Sequence, residues 1–390
     1  MSEYQYYEFL AVDRPLSEEE LRQVRALSTR ADITPTRFVN EYHWGDFRGD
    51  TTKLVEQFYD AHLYYANWGS RRLVLRLPAG VLPAKQAAPY AMEESLRVWT
   101  RSGHVLLDFS LSSEDGEEWD FETSYALSTF VGLRAELAVG DLRPLYVAWL
   151  AGLTAWELAE DDEEEYALEV EPPVPAGLAS LTGPQRALAD FLCVDADLLT
   201  AAAESSESAT ADAVDRAALA AFIAALPAAE KDSLLLEAAL GTAPLPGHRL
   251  LARYRATTAP GPRAGVKRRT SAQLLDAAYH HRTERRQREK VARVAAEQAR
   301  TRAAAEAREA HLDRLARNTG KAWRDIDDLI AQQKAAAYDA AIALLQDLRD
   351  IQARTGCTAD FDRRVGELRA AHRSKPSLMQ RFDSMAIPNP

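Results

Sequence analysis

The chain has 390 residues, 27% of them charged and 47% hydrophobic, and a formal net charge of −12. This composition excludes a fully disordered, collagen-like or purely coiled-coil chain, and the length implies two to three domains. No apolar run reaches the roughly 18 residues a membrane helix needs, and the acidic start gives no expectation of a secretory signal.

The net charge is a sum of unlike parts. Residues 1–250 carry −23 and residues 251–390 carry +11. Six of the seven Trp precede residue 160, whereas 53 of the 70 Ala follow residue 160. An aromatic α+β region is therefore expected first and a helical array after it. Arg outnumbers Lys 39 to 8, as in a GC-rich coding genome, so Arg abundance alone says little about phosphate binding.

Tyr4 to Val12 reads as a strand. Ser17 with Glu20 forms a capping box, and Leu16 with Leu21 a hydrophobic staple, for a helix whose stripe is Leu21, Val24 and Leu27. Thr36 to Trp44 alternates, with Phe38, Tyr42 and Trp44 on one face. Asp50 or Thr51 caps a short helix bearing Leu54, Val55 and Phe58. His62 to Trp68 and Arg72 to Leu77 flank a Gly69-Ser70 turn; Leu73, Leu75 and Leu77 face one way and Arg72, Val74 and Arg76 the other, which predicts a hairpin with one wet face. Leu96 to Arg101 and His104 to Leu111 predict a second hairpin around Ser102-Gly103. One helix is expected over Tyr125 to Val139, ending at Gly140, and another over Leu142 to Leu158, capped by Asp141, with Leu145, Trp149, Leu153 and Trp156 on its apolar face.

Glu157 to Glu171 holds nine acids and no base, and Pro172, Pro173 and Pro175 follow. This reads as a linker or a solvated rim. Short helices are expected beyond it, with apolar patches at Phe222, Ile223 and Leu226 and at Leu234, Leu235, Leu236 and Leu240. Thr270 with Gln273 makes a capping box for a helix running to Asn318, about 48 residues or roughly 70 Å, with Gly320 as its C′ residue. Ala292, Ala296, Ala299, Ala303, Ala307 and Ala310 form a narrow stripe along it. Trp323, Ile326, Ile330, Tyr338, Ile342, Leu345, Leu348 and Ile351, a Gly356 stop, then Phe361, Val365 and Leu368 predict two or three final helices. Over about 50 residues this arrangement resembles a helical hairpin of the tetratricopeptide-repeat kind, without that family's 34-residue period.

The expected organisation is an α+β domain with a mixed or antiparallel sheet (1–158), an acidic Pro-rich linker (159–178), a small helical domain (179–257), a basic linker (258–269), a long charged helix (270–319), a C-terminal helical hairpin (320–375) and a tail (376–390). Cys193 and Cys357 are too few for a disulfide framework and read as buried or half-buried thiols in a reducing cytoplasm.

His43, Asp46, Asp50, Asp60 and His62 are the candidate metal ligands, because imidazole and carboxylate suit a divalent ion that would activate water. The same Asp residues also read as turn and helix caps. No HExxH, paired CxxC, EF-hand, GxGxxG, phosphate-binding GK[ST] or GxSxG pattern is present, so no catalytic residue and no cofactor is assigned. Lys267, Arg268, Arg269, Arg282, Arg285, Arg286, Arg288 and Lys290 form a basic stretch that would follow nucleic-acid phosphates or a partner. Alternatively, the acidic Glu157–Glu171 segment attracts that stretch, within the chain or in a second copy. The expectation is a cytoplasmic, non-catalytic interaction or scaffold protein with a protein partner or self-association and no membrane partner. The alternatives are a nucleic-acid-associated protein and a metal-dependent enzyme.

Overall fold

Branched and aromatic residues of the first 111 positions build one seven-stranded, wholly antiparallel sheet in the computed structural model, which describes residues 4–112, 125–157, 169–208, 216–240, 246–258, 268–356 and 358–384. The strands are β1 (Gln5–Leu10), β2 (Asp32–Ile33), β3 (Arg37–Tyr42), β4 (Ala61–Ala66), β5 (Arg71–Pro78), β6 (Leu96–Arg101) and β7 (His104–Leu111). Their order in space is β2-β3-β1-β4-β5-β7-β6. Residues 1–285 and 286–390 form two compact units.

Local chemistry sets the elements of the first unit. In α1 (Glu18–Arg25) the Ser17 hydroxyl accepts from Glu20 N, and the Glu20 carboxylate accepts from Ser17 N. Asp50 caps α2 (Thr51–Gln57). In the β6–β7 hairpin Ser102 and Gly103 take φ of +49° and +77° between the paired Arg101 and His104. Two positive φ angles in a two-residue loop match the right-handed twist of the strands. Trp44 lies beyond the end of β3 and is exposed, so it does not share a strand face with Phe38.

Both faces of the sheet carry a core. On one side Leu63, Leu73, Leu75, Leu77, Leu107 and Phe109 join a large core. On the other, Phe9, Phe38, Val74 and Leu106 are fully buried with Leu21 and Val24 of α1 and Leu54 and Val55 of α2. The Arg72–Val74–Arg76 side of β5, read from its alternation as solvated, is thus an ionic rim around a second core. Arg72 donates to Asp108 and to the hydroxyls of Thr51 and Thr52, and Arg76 donates to Asp60. Charged residues on a strand mark the solvent side only when no helix covers it.

A short α3 (Ala84–Ala87) precedes β6. The stretch expected as one helix, Tyr125 to Val139, is divided into α4 (Leu127–Phe130) and α5 (Gly132–Ala138). The buried Glu8 carboxylate accepts from Leu127 N at 2.8 Å and anchors the first piece. At the junction a Cβ on Gly132 would lie 3.0 Å from Pro184 Cγ. From Leu145 to Leu153 helix α6 (Arg143–Glu157) is buried on all sides, with Leu145 to Ala151 and Leu153 in the core, and the side chain of Trp156 lies outside the described ones. That core continues into Leu178, Leu188, Phe191, Leu198, Leu274 and Ala278, beyond the acidic segment.

The described part of the stretch read as a solvated linker, residues 169–178, is packed at some positions and exposed at others such as Val170. Glu171 and Pro172 are buried, and Tyr90 donates its hydroxyl hydrogen to Pro173 O. Residues 158–168 lie outside the described residues, as do Lys267 and Cys357. Cys193 is exposed rather than buried, because it ends the turn after helix Gly183–Phe191 at φ +53°.

The long helix is Ser271–Ala316, started by the Thr270–Gln273 capping box. Gly320 is not its C′ residue. Asn318 accepts from Lys321 N and opens the next helix, Thr319–Ala331, in which Gly320 lies in the first turn. In the second unit Leu312, Trp323, Ile326, Ile330, Leu345, Leu348 and Val365 form one core, and helix Ala335–Thr355 stops at Gly356, φ +70°. Residues 376–390 include a further helix, Pro376–Ser384, instead of a bare tail: Leu378 and Phe382 are fully buried in that core.

Candidate functional site

The metal-ligand candidates serve separate structural ends. His43 is exposed beside Tyr4, ring centroids 5.5 Å apart. Asp46 accepts from Gln5 Nε2 at 2.7 Å, and Asp50 accepts from Lys53 N. Asp60 accepts from Val12 N, Asp13 N and Arg76. Burial acts to raise its pKa, but the amides and the guanidinium groups of Arg134 and Arg76 outweigh it and hold the carboxyl low. His62 is fully buried, stacks on Phe9 at 4.0 Å, and its Nδ1 lies 3.0 Å from Glu8 O. Burial, with Arg72 nearby, lowers its pKa to about 3, so the ring is neutral. Among the described residues no three His, Cys, Asp or Glu side chains are placed to hold a metal ion.

The basic stretch is divided by its surroundings. Arg268 donates to Glu171 O at 3.5 Å, and Arg269 makes a two-pronged contact with the Glu171 carboxylate at 2.9 and 2.8 Å. Tyr146 donates to the same carboxylate. Val170 and Thr270 pair across an antiparallel bridge, with Ser271 N donating to Glu169 O. One turn after another along the helix, Arg282 donates to Asp195 and Arg285 to Asp197. The hydrogen bond from Arg285 is the main reason the Asp197 pKa is lowered. His281 lies 2.9 Å from Glu204. The start of the cationic series is therefore used within the first unit to seat the helix.

Farther along, the environment changes. Every residue from Thr283 to Ala310 is exposed. Arg286, Arg288 and Lys290 lie there, as does the whole Ala292–Ala310 stripe. Among the described residues Arg286, Lys290, Arg293, Arg300 and Arg302 make no ion pair. Val291 and Val294 are exposed as well. The segment is helical because Ala, Arg, Glu, Gln and Lys are strong helix formers, not because a core holds it.

The Glu171–Arg269–Tyr146 cluster was not legible from spacing, since its carboxylate and guanidinium are 98 positions apart; the only hint is an acid set directly against Pro172-Pro173. Glu171 is the acid of the Glu157–Glu171 segment that meets the basic stretch among the described residues, through a buried contact with Arg269. Comparison with protein-family models, curated proteins and solved structures finds no match to this chain. Among the described residues no helix is long and apolar enough to cross a membrane.

Proposed function

We propose that the chain is a cytoplasmic, non-catalytic interaction or scaffold protein whose docking surface is the exposed part of the long helix. One observation carries this reading. From Thr283 to Ala310 a continuous helix has every residue exposed, and its ionic contacts to other described helices lie toward its ends, at Arg285, Arg308 and Glu309. A helix that lacks an apolar face toward its own core is a bridging element or an unoccupied surface. The Ala stripe permits close approach of another helix, and the polar rim keeps the free form soluble.

Phosphate binding along Arg286, Lys290, Arg293 and Arg300 is the second reading, supported by their making no ion pair among the described residues. It is reduced by the loss of Arg269, Arg282 and Arg285 to carboxylates of the first unit. A photo-crosslinking residue at Ala299, used in living cells, tests both. A discrete crosslinked protein that survives nuclease treatment supports the interaction reading. A product that nuclease removes supports the second reading, and no product at all defeats both.

A further inference from the structure

Within each unit the long helix is already met by a carboxylate-bearing helix. In the first, Arg285 donates to Asp197 of helix Ala196–Ala203. In the second, Arg308 donates to Asp347 and Asp350 of helix Ala335–Thr355, and His311 lies 2.7 Å from Asp347. In the exposed stretch between, Arg293, Arg300 and Arg302 stand beside Ala as Arg308 does, and among the described residues no helix sets a carboxylate against them.

The spacing defines what would fit. With Ala296 as an a position of a heptad, Ala292, Ala299 and Ala303 fall at d, d and a, and Glu289 at a and Glu306 at d bound this seam. The flanking e positions hold Arg286, Arg293 and Arg300, and the g positions hold Arg288 and Arg302. Residues at e and g decide which helix pairs with which. Two copies of this helix would set Arg against Arg whether parallel or antiparallel, which is destabilising. Duplex nucleic acid would answer the positive charge, but its phosphates offer no small-residue face to pack against Ala292, Ala296, Ala299 and Ala303.

We infer that the exposed segment docks a partner protein's acidic helix, one with small residues facing the Ala seam and Asp or Glu along both flanks. The inference rests on the interaction reading above and names its partner chemistry. The Ala seam supplies close backbone approach, and the Arg flanks supply orientation and a salt-sensitive association rate.

The test uses the full chain and a fluorescent four-heptad peptide with Ala at a and d and Glu at e and g. Anisotropy should show binding at low salt that weakens as salt rises. The triple variant Arg293→Glu, Arg300→Glu, Arg302→Glu should lose affinity by more than about tenfold and should bind the Lys-flanked counterpart peptide instead. Circular dichroism should show helix content equal to wild type, so a loss of binding cannot be a loss of fold. Absence of peptide binding, or binding indifferent to the charge reversal, overturns the inference. So does a duplex DNA of equal charge binding more tightly than the acidic peptide, or a wild-type dimer that the peptide does not dissociate. A nuclease-resistant crosslink at Ala299 without peptide binding would retain the interaction reading and reject the acidic helix.

Discussion

Two regions of this protein use arginine in opposite ways. Around the sheet, Arg72, Arg76 and Arg269 are largely buried and each is bound to a carboxylate that the fold has removed from water: Asp108, Asp60 and Glu171. Along the exposed helix Arg286, Arg293, Arg300 and Arg302 make no ion pair among the described residues and contribute chiefly helix propensity and charge. The residue type is the same and the covering layer differs. A positive charge on this chain is structural where a helix or loop closes over it, and available to a partner where nothing does.

The largest expected effect tests the buried region through His62. Its folded pKa is about 3, and the ordinary value is near 6.5. The unfolded chain therefore takes up the proton first. Stability from keeping this ring neutral is complete above pH 6.5 and is lost as pH falls from there toward 3, by on the order of 5 kcal/mol at the low end. Denaturant titrations at several pH values should show that dependence in wild type and a shallower one in His62→Phe. Equal slopes in the two proteins would show that the ring is not held neutral by its surroundings.

Breaking an ionic contact comes next. Asp108 is fully buried and accepts from Arg72 and Arg97. Asp108→Ala leaves the mostly buried Arg72 guanidinium without its carboxylate and should cost about 3–5 kcal/mol in urea denaturation. A loss below about 1 kcal/mol, the range of an exposed pair, would remove the contrast between the two regions. The smallest effect belongs to the helix. Arg293→Gln with Arg300→Gln should change stability by less than about 0.5 kcal/mol, as expected for exposed positions that make no ion pair among the described residues. A clear drop in melting temperature would mean that those side chains support the fold.

Much of this architecture is readable from residues close in sequence. The Ser17–Glu20 and Thr270–Gln273 boxes, the Ser102-Gly103 turn, the Gly140 and Gly356 stops and the apolar faces of the last helices depend on neighbours within about one helical turn, or on a residue's own φ. Each appears where its local chemistry places it. The misreadings concern elements whose partners are distant. The arginine side of β5 looked wet because α2 could not be known to cover it. Helix Pro376–Ser384 looked like a tail because its Leu378 and Phe382 are few and short of a full stripe, yet they complete a core supplied by other helices. The candidate ligands His43 and His62 looked like neighbours, but one is exposed and the other lies beneath the sheet's second core.

By itself, then, the amino-acid order determined the fold class, the sheet's hairpins, the long helix and its basic start, because caps, turns and periodicity act over three or four residues. Only the tertiary structure decided which charges are bound and which are open. Glu8 reaches Leu127 across 119 positions and Glu171 reaches Arg269 across 98. The desolvation that makes such contacts structural exists only once distant layers close over them.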